Sequence, residues 1–173
     1  MAHISYSELK EWVRCPFAHK LAYVDGLKEF KGNEYTAFGS AVHSTCETLL
    51  VEKRLNKNFN VDEESLFRHY FKEELDSLET KKRNKSLIED MEDRGAQLAA
   101  EAIEFLSKKF GNYKLISVEE KLEVPIGEYI TKKYNFKGFI DLVIKTKDGK
   151  YHVIDWKTCS WGWNARRKSD IMT

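Results

Sequence analysis

The sequence predicts an α/β chain of the α+β kind, with N-terminal helices packed on a small sheet that begins as a three-stranded antiparallel meander. Two observations predict it. Apolar residues recur every three or four positions as far as about residue 112 and then alternate with polar ones. Gly111-Asn112 marks the change, and Lys147-Asp148-Gly149-Lys150 reads as a hairpin turn within the alternating part. The chain is thus expected to be one domain over 1–173: 1–112 mainly helical, 113–159 a three-stranded sheet, and 160–173 the start of a further helix.

Ser5 is a plausible N-cap with Glu8 three residues on, so a first helix runs to about Arg14. Pro16 marks a break or a new helix start, and Asp25-Gly26 a turn. A second helix spans about Thr36 to Lys53. Asp62-Glu63-Glu64 opens a third, with Leu66, Phe67, Tyr70, Phe71, Leu75 and Leu78 on its apolar face. A longer helix, about Ser86 to Phe110, carries a stripe of Leu87, Met91, Leu98, Ala102, Phe105 and Leu106. The strands read as Leu115–Val124, Tyr134–Lys145 and Tyr151–Thr158.

With 42% hydrophobic, 13% aromatic and 33% charged residues, the chain can bury a core and does not resemble a disordered one. No run is long and apolar enough to span a bilayer, and the N-terminus has no signal-like pattern. Cys15, Cys46 and Cys159 are too few and too scattered for a disulfide framework, which implies a reducing, cytoplasmic setting. A net charge of +1 argues neither for nor against nucleic acid. Lys81-Lys82-Arg83 and Arg166-Arg167-Lys168 are basic clusters that fit either a DNA-binding patch or a solvated face.

The chemistry-bearing residues lie in the strands. Asp155 and Lys157, two apart, share a strand face with Val153 and Tyr151, and the hairpin can bring Asp141 beside Asp155. Carboxylates among Val, Ile, Phe and Tyr are costly without compensation, and a divalent cation supplies it. Hard oxygen ligands suit Mg²⁺ or Mn²⁺. Lys157 beside that centre fits the partner of an attacking water. Alone, an Asp-x-Lys is also what an ion pair on a solvated sheet looks like.

Lys137-Gly138-Phe139-Ile140-Asp141 followed by Ile154-Asp155-Trp156-Lys157-Thr158 resembles the GxxD and DxK motifs of the PD-(D/E)XK nuclease superfamily. Phe38-Gly39-Ser40-Ala41-Val42-His43 is similar to the GxxxH motif of its RecB-like exonuclease branch. The opening Ser5-Tyr6-Ser7-x-Leu9, with Cys15-Pro16-Phe17 and Tyr23, looks like the start of the same branch, which includes CRISPR-associated and phage relatives. The resemblance implies a restriction-endonuclease-like core with a mixed sheet. It implies catalytic Asp141, Asp155 and Lys157, a metal held by His43, Asp141 and Asp155, and motif-supporting Gly39, Gly138 and Trp156. Gly39, one helical turn before His43, removes a side chain where substrate or sheet must come close. A supporting acid is expected at Glu119 or Glu120; alternation lets only one face the site and does not choose between them.

Cys15 sits in the Cys-Pro context of relatives that carry an iron-sulfur cluster. Such a cluster takes four thiolates, so none is expected here. The Gln-x-x-x-Tyr helix and the closing strand of the family are absent from the sequence given, so the core is expected to be cut short and to self-associate or borrow the missing element. The implied function is a Mg²⁺- or Mn²⁺-dependent deoxyribonuclease, an exonuclease on linear or single-stranded DNA in recombination, repair or phage DNA processing. The alternative is an inactive, nuclease-fold DNA-binding module.

Overall fold

The computed structural model describes residues 2–27, 31–55, 61–79, 83–126 and 134–159. Strand β1 (Ala2–Ser5) leads into α1 (Tyr6–Arg14), α2 (Pro16–His19) and a π-helical turn, Lys20–Val24. Three longer helices follow: α3 (Glu34–Leu55), α4 (Glu63–Ser77) and α5 (Lys85–Phe110). The chain then forms β2 (Tyr113–Pro125), β3 (Tyr134–Thr146) and β4 (Tyr151–Ile154). Among the described residues, no helix is long and apolar enough to cross a membrane.

Local chemistry sets the boundaries. Ser5 Oγ accepts from the Glu8 amide at 3.2 Å and starts α1. Cys15 caps α2, its sulfur accepting from the Ala18 amide, and Pro16 takes the first position where no amide is needed. Asp62 and Asn84 cap α4 and α5 in the same manner. Gly111 ends α5 with φ +62°, a conformation that favours glycine.

The core lies between α3, α4, α5 and one face of the sheet. Cys46 and Leu49 of α3, Phe67 and Phe71 of α4, Leu106 of α5, and Leu142 and Ile144 of β3 are all fully buried. The α5 stripe departs from the expected one: Leu98 and Phe105 are exposed, while Gly95, Ala96, Ala99 and Ile103 face inward. The reason is close packing. The Phe67 ring lies where a Gly95 side chain would be, so small residues let α4 approach α5.

The sheet is mixed, and its topology places the site. β2 pairs antiparallel with one edge of β3 along nearly its whole length. The other edge is shared. β1 pairs parallel with Tyr134 to Lys137, and β4 pairs antiparallel with Leu142 to Lys145. Residues 138–141 lie between these two partners and form a fork. β1 was not legible in the sequence, because four residues ending in the N-cap Ser5 are too short a run for alternation to mark a strand. The third strand also stops earlier than Thr158: β4 ends at Ile154, because the amide of Trp156 is taken by a side chain.

Candidate metal centre at the fork of the sheet

Asp141 is the last β3 residue of the fork. Its Oδ2 accepts the Trp156 amide at 2.6 Å, so the carboxylate replaces the ladder bond that would have extended β4. It is only 9% exposed, and the Asp141 Oδ2 lies 3.6 Å from Nδ1 of His43 on α3. His43 Nδ1 is also 4.0 Å from Glu119 Oε1. One ligand atom from each of His43, Glu119 and Asp141 lies within 4.8 Å of the others.

Glu119 reaches this place through a distortion. Val118 pairs with Leu142 and Glu120 with Ile140, so the intervening Glu119 stands across from Asp141. Two carboxylates facing each other repel. Glu119 also has φ +48° and is the one non-glycine with positive φ among the described residues. That conformation costs about 1–2 kcal/mol for a residue with a Cβ. Strain of this kind persists where the surrounding structure imposes it, typically at functional positions.

The electrostatics agree with the geometry. Burial, and then the charges of Asp141 and Glu47, hold the Glu119 carboxyl above its ordinary range, while His43 and Lys157 pull it the other way. Burial and the Asp141 charge push the Cys46 thiol up to about 12. The imidazole and two carboxylates form a mixed nitrogen and oxygen donor set with its negative charge only partly compensated. An octahedral cation with bonds of about 2.1 Å sets neighbouring donors ~3 Å and opposite ones ~4 Å apart. The donors present fit such a group with small adjustments.

Of the residues the sequence singles out, His43 and Asp141 come together, and Glu119 rather than Glu120 joins them. Asp155 and Lys157 lie beside the cluster just beyond β4, each side chain 49% exposed, joined by a 2.5 Å contact from Lys157 Nζ to Asp155 Oδ1. The Asp155 carboxylate is not in the three-residue group. Trp156 packs on the core and gives its amide to Asp141. A Cβ on Gly39 would stand 3.2 Å from Thr158 Oγ1, so that glycine admits the segment carrying Lys157. Gly138 has open space around its Cβ position. Arg83 bonds the Leu75 carbonyl at the end of α4 and pairs with Asp76. Lys81, Lys82, Arg166, Arg167 and Lys168 lie outside the described residues.

Sequence reasoning missed Glu47, whose charge acts on Glu119. The available signal was its spacing, one helical turn beyond His43 on the same face of α3. The choice of Glu119 was hidden by the register shift between Leu115 and Ser117, which no local pattern announces.

No curated protein matches the chain. The sequence profile of the PD-(D/E)XK nuclease superfamily matches residues 3–169. A profile match across nearly the whole chain, over a mixed α/β fold with a candidate metal centre at its sheet fork, means that the chain belongs to the PD-(D/E)XK nuclease superfamily.

Proposed function

We propose that the protein is a divalent-metal-dependent deoxyribonuclease of RecB-like type, acting as an exonuclease on linear or single-stranded DNA. The observation that carries this reading is the convergence of His43, Glu119 and Asp141 at the sheet fork beside Lys157. These three would hold the cation, Mg²⁺ or Mn²⁺, the single imidazole leaning toward Mn²⁺ because nitrogen ligands suit transition metals. When bound, the cation polarises the phosphodiester as a Lewis acid.

The chain's own residues do the rest. Lys157 presents an ammonium that orients the attacking water and offsets charge growing on the phosphoryl oxygens. Asp155 holds that ammonium in place through their direct contact. Glu119, carried to the cluster by its strained backbone, would serve the site as a carboxylate ligand beside His43 and Asp141. A role in recombination, repair or phage DNA processing, and a cytoplasmic site of action, follow as parts of the same proposal.

The test is release of nucleotides from end-labelled linear DNA with Mn²⁺. Asp141→Ala and Lys157→Ala should each cut the rate by at least ~100-fold, the scale of losing one electrostatic contribution to the transition state. Full activity in folded variants would reject the assignment. One observation favours a second reading, an inactive DNA-binding module: Asp155 is engaged with Lys157 instead of joining the cluster. Metal binding by calorimetry without cleavage by the wild-type protein would favour it.

A further inference from the structure

A cleft of about 700 Å³ opens between α3 and α5, beside the candidate metal centre. Its floor is apolar, formed by Val42, Cys46 and Met91, and its rim carries Tyr35, Arg94 and Lys157. Lys157 therefore borders both the cleft and the carboxylate cluster, where its charge is felt by Glu119. We propose that this cleft binds one unpaired nucleobase of the substrate strand, next to the phosphate that Lys157 serves.

The proposal rests on the nuclease reading and adds to it a place for the base. Size is the first argument. The volume falls within the ~300–1,000 Å³ of small-molecule clefts, room for a base and its sugar and far too little for a duplex. Composition is the second. Tyr35 is 46% exposed at the mouth and Trp156 forms another part of the wall, so aromatic faces are available for stacking, the sequence-tolerant way to hold a base.

Charge is the third argument. Arg94 at the rim is paired at 2.9 Å with Asp90, which also lines the cleft, and Lys157, in contact with Asp155, adds a second cation on the side of the metal centre, so the lining carries two basic groups against one acid. A similarly large cavity elsewhere, about 710 Å³, is bordered by Glu63, Glu101 and Glu104 and would repel a polyanion. Continuity with the site and charge at the rim thus select the α3–α5 cleft. Because only an unstacked base can enter, the cleft would favour single-stranded or frayed ends over intact duplex.

Leu98 lines the cleft and is 44% exposed, so Leu98→Trp can fill it from the solvent side without disturbing the core. Binding of a fluorescent oligothymidylate is read by anisotropy in EDTA, with Tm measured alongside. Leu98→Trp should weaken binding at least ~10-fold and Tyr35→Ala at least ~5-fold, the lower range of one lost base–aromatic stack. With Mn²⁺, Leu98→Trp should also raise KM for the oligonucleotide relative to that for bis(p-nitrophenyl) phosphate, which carries no base. Wild-type cleavage combined with Leu98→Trp affinity within ~2-fold of wild type would overturn the base site and leave the nuclease reading standing. Weakened binding by the variants, with no wild-type cleavage, would do the reverse. Unchanged affinity with a clearly lowered Tm would mean that protein, not a base, fills the cleft, and would also overturn it.

Discussion

At the scale of the residue, Glu119 carries the greatest tension. Its backbone is strained, its carboxylate faces Asp141, and burial and neighbouring charges raise its pKa. A carboxyl whose pKa is higher in the folded than in the unfolded chain binds extra protons when folded, so it lowers stability as pH rises from the unfolded pKa through the folded one. Glu119→Gln should therefore raise the metal-free Tm at pH values above that raised pKa, while the difference shrinks as pH falls below the usual carboxylate range. The same variant should lose most of the Tm gain that Mn²⁺ gives wild type, because a ligand that binds only the native state stabilises it in proportion to its affinity. Thermal melts with and without Mn²⁺ read both effects. Cys46 gives a second residue-level prediction. Buried and with its thiol pushed up to about 12, it should resist iodoacetamide at pH 8 in the native protein and react on unfolding, as peptide mass mapping would report.

At the scale of the element, two glycines govern how closely segments approach. A methyl on Gly95 would meet the Phe67 ring between α5 and α4, so Gly95→Ala should destabilise by about 1–3 kcal/mol through overpacking, despite alanine's better helix propensity. Urea unfolding would measure it. Gly39 admits the segment after β4 to the surface of α3. Gly39→Val should displace Thr158 and with it Lys157, lowering cleavage by at least ~10-fold for a shift of around 1 Å, with a much smaller change in the urea midpoint. A loss of stability matching the loss of activity would refute this role for Gly39. The helices themselves were legible because caps and turn residues are local: Ser5, Pro16, Asp62 and Gly111 act where the sequence places them. β1 was not, since its only structural reason is the edge of β3 residues 134–137, far away in the chain.

At the scale of the whole molecule, the site exists because β3 has different partners along one edge. Along β3 the pairing with β1 ends at Lys137 and that with β4 begins at Leu142, and the gap between them leaves Asp141 free to take the Trp156 amide and to reach His43. Removing divalent metal with EDTA should abolish cleavage, and Mn²⁺ should restore it in wild type but not in His43→Ala or Asp141→Ala. The sequence by itself determined the change from helix to sheet, the hairpin at Asp148-Gly149, and His43, Asp141, Asp155 and Lys157 as candidates for the site, because periodicity, turn chemistry and motif spacing are written along the chain. Only the tertiary structure decided between Glu119 and Glu120, brought in Glu47, and set Asp155 against Lys157. Those outcomes depend on a register shift in β2, on a helix crossing the sheet, and on where two ladders end, all of them relations between distant segments.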